Sequence, residues 1–348
     1  MTPFGLGGKK STVALDVGSG LIKLVKMDHG RGEPVITKVA VTPVLADAIV
    51  EGEIMDPGIV ADTIQGLLRT AGVKERQVVV AVGGRDVIIK KIQVDRMKES
   101  DAYDVVRWEA QQHVPFDIEA VELDFQILDP DAEGLQMDVL LVAAKRDLVE
   151  DKLQLLQQAG LDAGIVDVDA FALHNAFEAN YPEAMRGVVA LVNIGHEITN
   201  VDILDRGVPL LTRDLNIGTR KFREDLMRER GMSADEAEGL IQGYELTQDL
   251  QPYVYSRGEE IAVGLERAGA FLATASTDAG LERVFCSGGG ARIPGMSEVL
   301  AQRTGLPVEV ATALRRLPVA EGAFDGLNPD EMGPLLMLAT GLALRRRT

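Results

Sequence analysis

Asp16-x-Gly18-Ser19-Gly20-x-x-Lys23 gathers a carboxylate, a hydroxyl, two glycines and an ammonium between two apolar stretches. A turn of this kind suits a polyphosphate: glycine permits close approach and positive φ, so backbone N–H groups can point at phosphate oxygens. Residues 192–199 (Val-Asn-Ile-Gly-His-Glu-Ile-Thr) read as a second strand–turn–strand with Gly195 in its turn. Ser287-Gly288-Gly289-Gly290-Ala-Arg292-Ile-Pro-Gly295 is a third glycine turn. Two hairpins facing each other would pinch a phosphate tail, and the third turn would seat a nucleoside.

The bulk of the chain sets the scale of what holds these turns. At 348 residues it is too long for one ordinary core, which predicts two lobes. Charged residues are 26% and apolar residues 46%, the composition of a globular protein. A net charge of −18 argues against nucleic acid and against anionic lipid, with Arg345-Arg346-Arg347 a small local exception read as a solvated, helix-terminal cluster. A single cysteine, Cys286, leaves no disulfide framework; its apolar setting reads as a buried thiol and implies a cytosolic address. The most apolar run, 334–344, falls short of the roughly 20 residues a spanning helix needs, and Lys9-Lys10 lack a following apolar region, so neither a membrane span nor a signal peptide is expected.

Strands are expected at 12–17, 21–28, 34–44 and 78–82, with a helix opening at Asp56-Pro57 and closing at Gly72. From 83 to 144 the pattern becomes strand, helix (about 98–113), strand, strand, a small α+β insertion ahead of a helix at 147–158. The second half opens with strands 188–194, 199–204 and 208–214. It continues mostly helical from 218 to 276, with a capping box at Ser233-Ala-Asp-Glu236. Strand 282–286, the third glycine turn, a helix ending near 304 and a last helix from 334 complete it. Each half starts as a strand meander and closes with helices, which is a duplicated architecture.

In these motifs the chain resembles the actin-like ATPase superfamily, and within it the PilM family of type IV pilus assembly. The first loop looks like that superfamily's first phosphate loop. Residues 107–118 (Arg-Trp-Glu-Ala-Gln-Gln-His-Val-Pro-Phe-Asp-Ile) and 121–126 are similar to the PilM insertion subdomain, and 207–217, 286–294 and 341–345 also match. The resemblance implies an α/β, two-lobed actin-like fold with duplicated ribonuclease-H-like lobes and an FtsA-type 1C insertion. The implied subdomains are 1A (1–83 and 145–186), 1C (84–144), 2A (187–217 and 282–348) and 2B (218–281). It also implies ATP and Mg2+ as ligands, and as partner the cytoplasmic tail of a bitopic, PilN-like membrane protein in a groove between 1A and 1C. A second copy of the chain is a further candidate partner.

Carried onto this sequence, Gly18, Ser19, Gly20 and Lys23 would hold the β- and γ-phosphates, and Asp16 would hold magnesium through water. The alternative is a hairpin whose glycines serve only its turn. In the second loop Gly195 and Thr199 fit, but Asn193 stands where aspartate is usual and brings no charge to the metal; Glu197 would repel a triphosphate unless it points away. His196 is either a ligand or a solvent-facing turn residue. Gly288, Gly289 and Gly290 match the adenosine turn, with Arg292 beside the base. Glu238 and Glu260 are candidates for the ribose hydroxyls or else lie on a solvated helix face, and Ile241 replaces a nucleoside-contacting lysine. Asp169 is the candidate to orient an attacking water, with a helix N-cap as its other role.

The partner surface is expected around Val87, Trp108, Pro115 and Phe116, with Ile89 and Val114 nearby. Phe116 is expected to be exposed, whereas Trp108 and Ile89 read better as part of the insertion's own core. Asn193, together with the capping role open to Asp169, points to slow hydrolysis or none. A small-molecule kinase of the same superfamily and a structural platform with a decayed pocket are the rival readings.

Overall fold

The computed structural model describes residues 11–30, 32–130, 133–272 and 280–346. The chain opens as an antiparallel meander of β1 (Ser11–Val17), β2 (Leu21–Asp28) and β3 (Val35–Pro43), with Asp16 paired opposite Lys23 across the first glycine turn. A short ribbon, β4 (Ile49–Val50) and β5 (Glu53–Ile54), leads into α1 (Pro57–Ala71). That helix starts because the Asp56 carboxylate accepts from Ile59 N–H beside a proline, and it stops at Gly72 in the left-handed region. Strand β6 (Gln77–Val82), apolar from Val78 onward, then lies parallel to β1.

An insertion follows, made of β7 (Val87–Asp95), α2 (Glu99–His113), β8 (Val121–Ile127) and β9 (Gln136–Lys145). Its sheet is antiparallel in the order β7-β9-β8, and α2 packs Ala102, Val106 and Ala110 into a core of its own with Val139 and Leu141. After α3 (Arg146–Gln158), β10 (Asp162–Val168) completes the first sheet beside β6, giving the order β10-β6-β1-β2-β3. Sequence patterning does not reveal β10, because only its last two residues are buried and its apolar residues do not alternate.

Helix α4 (Asp169–Asn180) carries the chain to the second lobe, where β11 (Val188–Ile194), β12 (Thr199–Asp205) and β13 (Val208–Leu215) repeat the meander. Helices α5 (Thr219–Arg230), α6 (Ala234–Ile241) and α7 (Gln251–Leu272) come next, then β14 (Arg283–Ser287), α8 (Met296–Thr304) and β15 (Val308–Val310). The second sheet, β13-β12-β11-β14-β15, copies the first strand for strand: three antiparallel strands, then two added in parallel on the far side of the first. The capping box at Ser233 forms as expected.

The return path runs through α9 (Pro329–Met332) and α10 (Met337–Leu344). Ahead of them, residues 318–323 add to the edge of β3, with Ile36 N–H donating to Pro318 O at 2.9 Å and Val39 N–H to Ala323 O at 2.7 Å. Helices α4 and α10 are sandwiched between the sheets. One shared core joins Ala14, Val25 and Val79 of the first sheet to Leu191 and Phe285 of the second through Phe177, Ala172, Leu338 and Leu342. Outer helices cover the remaining faces, α1 and α3 on the first sheet and α5 to α8 on the second.

The terminal arginines are not simply a solvated cluster. Arg345 donates to both oxygens of the buried Asp167, at 2.6 and 2.9 Å, a bidentate pair fastening the end of α10 to β10, and Arg346 donates to His29 Nδ1 at 3.2 Å. Arg347 lies outside the described residues. No helix among the described residues is long and apolar enough to cross a membrane.

Candidate functional site

A cleft of about 810 Å³ lies between the lobes, and all three glycine turns open onto it. Asp16, Gly18, Ser19, Gly20 and Lys23 line it from the first lobe; Asn193, Gly195, Glu238, Gly288, Gly289 and Arg292 line it from the second. Asp169 lies at its floor together with Lys152, which the sequence did not single out.

The first loop is built by the β1–β2 register. Lys23 Nζ lies 2.7 Å from Asp16 Oδ2, both side chains mostly shielded, so the carboxylate and ammonium neutralise each other beside the turn. Gly18 N–H donates to Leu21 O at 3.2 Å, and Gly20 O accepts from Val44 N–H at 3.0 Å. Positive φ, which the sequence suggested, is not used at Gly18, Gly20 or Gly195. Close approach is the requirement instead: a Cβ on Gly20 would lie 2.7 Å from His196 Cγ. His196 is therefore no solvent-facing turn residue. Its ring spans from the second loop to the first, with Nδ1 3.2 Å from Thr219 Oγ1, and burial reinforced by Arg223 lowers its pKa.

Glu197 turns away from the phosphate end. Its Oε2 accepts from Glu51 N–H at 2.6 Å and its Oε1 from Arg220 at 2.7 Å, while Arg220 also reaches Glu224 Oε1 at 2.7 Å and Asp47 Oδ1 at 2.9 Å. Asp47 and Glu51 belong to the first lobe, so this network latches the ribbon of β4 and β5 to the second loop across the mouth of the cleft. Both have positive φ, 62° and 49°, so backbone strain sits at the latch itself.

At the nucleoside end, Gly288 has φ 82° and its missing Cβ would lie 2.5 Å from Ile194 O, so only glycine fits. Arg292 reaches Glu331 Oε2 at 3.4 Å. Glu238 accepts from Gln242 at 2.6 Å, and Ile241 is a buried part of the wall. Asn193 is engaged, donating to Asn200 Oδ1 at 3.1 Å and accepting from Ser287 at 3.4 Å.

Three expected residues do not line the cleft. Thr199 is buried and donates to Ile217 O at 2.7 Å. Gly290 packs on Ile194 beneath the turn. Glu260 pairs with Arg257 at 2.6 Å and faces a neighbouring cavity of about 670 Å³ lined by Arg213 and Arg267. The α7 periodicity turns it out of the nucleoside wall.

Asp169 does not cap its helix: the boundary residue is Val168, and the Asp169 carboxylate is tucked against Gly83 at the end of β6. Burial, then the nearby Asp16 charge, pushes its pKa up to about 7, with Lys152 opposing. Burial also pushes Asp202 up to about 7, with Thr212 opposing and Asp214 and Asp169 adding to the rise; neither carboxylate oxygen has a hydrogen bond of ordinary geometry. Asp214 is raised by burial as well, against the hydrogen bond from Asn200. A raised carboxylate binds its proton more tightly folded than unfolded. Its contribution is therefore complete below about pH 4 and disappears as pH rises toward 7. Asp202→Asn, which removes one such group, is expected to raise stability at pH 8 by on the order of 2–3 kcal/mol and to flatten the decline between about pH 4 and 7. Urea midpoints of both proteins across that range check it.

On the insertion, Trp108 is 59% exposed on α2, opposite the Ala102, Val106 and Ala110 stripe, so it is not core. Phe116 corrects the other way: it is half-buried against the insertion core, with Lys145 Nζ 4.7 Å above its ring. Pro115 is exposed, Val114 buried, and Val87 and Ile89 half-buried.

Among the described residues no group of three or more His, Cys, Asp or Glu side chains could hold a metal alone. Asp16, with Asn193 across the cleft, could hold through water a magnesium that arrives with phosphates, since that ion keeps its waters and needs only one or two carboxylates.

Comparison with known proteins extends over the same ground. A solved structure described as a PilM–PilN type IV pilus biogenesis complex contains a chain 29% identical, with a TM-score of 0.84 over 96% of this chain and 97% of that one. The ethanolamine utilization protein EutJ from Carboxydothermus hydrogenoformans is 19% identical with a TM-score of 0.57, covering 99% of this chain and 91% of that one. MreB5 of Spiroplasma citri bound to ADP is 12% identical with a TM-score of 0.51, covering 96% and 95%. These last two share the fold, which is the two-lobed actin-like one. The type IV pilus assembly protein PilM family matches residues 14–347, and this chain belongs to that family.

Proposed function

We propose that this chain is an ATP-binding, actin-like scaffold of the type IV pilus assembly platform. It binds ATP with Mg2+ between its lobes and docks the cytoplasmic tail of a PilN-like bitopic protein. The observation that carries the reading is the meeting of three glycine turns, spread between Gly18 and Gly290 in the sequence, on a single cleft. Gly18 to Gly20 with Lys23 would hold the terminal phosphates, Asp16 with Asn193 the metal through water, and Gly288, Gly289, Arg292 and Glu238 the nucleoside. Magnesium would supply charge neutralisation on the phosphates. Asn193, which brings no charge to the metal where an aspartate would, supports slow hydrolysis or none.

Recruitment to the cytoplasmic face of the inner membrane would come through the partner. Support comes from the related chain described in complex with PilN and from the exposed Trp108 on α2, a helix that buries only Ala102, Val106 and Ala110. The four-subdomain division, with the insertion of residues 84–144 as 1C, belongs to the same proposal. Nucleotide spanning the cleft would bias lobe closure by binding the closed state more tightly. The test is a fluorescence-anisotropy titration of the PilN-like tail peptide against the full chain. We expect binding whose affinity changes with MgATP and falls about tenfold in Trp108→Ala. A peptide that does not bind, or binds identically with and without MgATP, contradicts this mechanism.

A further inference from the structure

Helix α3 presents an apolar stripe to the first lobe, ending in the fully buried Leu155 and Leu156. Leu148 and Lys152 continue it at helical spacing, and both open onto the cleft. A lysine thus occupies a position where the stripe calls for an apolar residue.

The other cations lining the cleft are already engaged. Lys23 pairs with Asp16; Arg220 holds Glu197, Glu224 and Asp47; Arg223 lies 3.9 Å from Glu238; Arg292 reaches Glu331. Arg85, at the rim, pairs with Glu53. Lys152 has neither a hydrogen bond nor an ion pair among the described residues. The charges acting on it are Asp169 and Asp16, and burial lowers its pKa. Asp16 is the penultimate residue of β1, just before the first phosphate loop, so Lys152 belongs to the phosphate end of the cleft, away from Gly288 and Arg292. A shielded, unpaired ammonium is unfavourable in the empty protein, and a phosphoryl group would satisfy it as a point-charge partner.

Building on the nucleotide reading above, we propose that Lys152 is the binding residue for the terminal phosphate and makes the cleft distinguish a nucleoside triphosphate from a diphosphate. The first loop and Lys23 then grip the phosphate tail of either nucleotide, while Lys152 adds the contact to the phosphate that only the triphosphate carries. The state of the lobes would follow the phosphorylation state of the ligand even with no hydrolysis by this chain.

The test is calorimetric titration of MgATP and MgADP into the full chain and into Lys152→Met and Lys152→Arg, with melting of each apo protein. We expect Lys152→Met to lose at least tenfold in ATP affinity and less than threefold in ADP affinity. Lys152→Arg should keep most of the ATP preference. Apo Lys152→Met should melt at or above the wild-type temperature, because it sheds an unpaired charge. An unchanged ATP-to-ADP ratio in Lys152→Met, equal losses for both nucleotides, or a lower apo melting temperature overturns the assignment while leaving the nucleotide reading standing. A wild-type chain that binds neither nucleotide overturns both.

Discussion

Gly341→Ala is expected to destabilise the protein by about 3 kcal/mol or more, lowering Tm by roughly 6–12 °C. Gly341 lies in α10, where a Cβ would fall 1.6 Å from Ala172 O and 2.5 Å from Ala172 C, both main-chain atoms of α4. A flexible side chain could step aside, but a helix backbone in a shared core moves only by separating the two helices. These helices carry the chain out of the first lobe and back into it, so the substitution strikes the pivot as well as the core. Gly66→Ala is the control: that glycine lies in α1 with nothing within 4 Å of the added Cβ. It should gain about 0.5–1 kcal/mol from helix propensity. Calorimetric melting of both variants checks the contrast, and a Gly341→Ala protein melting like wild type would contradict the close helix crossing.

Lys23→Met is expected to reduce MgATP affinity by at least about 100-fold, two charge-assisted contacts' worth. The substitution removes the cation of the first loop and also frees Asp16, whose 2.7 Å partner is gone, to repel the incoming phosphates. The apo protein should lose about 1–3 kcal/mol, because a mostly shielded carboxylate is left unpaired. Glu260→Ala should leave ATP affinity within twofold of wild type, since Glu260 faces the neighbouring cavity. Isothermal titration of the two variants separates the loop from the discarded contact. Equal losses in both would return Glu260 to the site.

The first loop was legible because its chemistry is local. Asp16, the glycines and Lys23 lie on one hairpin, and hairpin register alone brings carboxylate and ammonium together. The third turn was legible from its run of glycines alone, although what fixes Gly288 is tertiary, the backbone of Ile194 at the end of the neighbouring strand β11. Failures arose where a side chain's direction depends on tertiary packing. Thr199 has the right residue type but the inward face of β12, and Glu260 has the right helix but the wrong side of it. Trp108 read as core by residue type, yet α2 meets its sheet through alanines and a valine, which leaves the large ring outside. The Arg220 latch had no local signature, because Asp47 lies 173 positions away in sequence. Lys152 did leave a trace, a charged residue interrupting an apolar stripe, and that interruption reads as functional only once the neighbouring cations are seen to be occupied.

In the nucleotide-bound protein, main-chain amides from both lobes should share one triphosphate. A crystal structure with Mg2+ and a non-hydrolysable ATP analogue at saturating concentration tests it most directly. We expect the terminal phosphates against the amides of Gly18 to Gly20 and the turn at Gly195, with the adenine beside Gly288 and Arg292. A cleft without nucleotide, in which the His196 ring still rests on Gly20, would contradict the account.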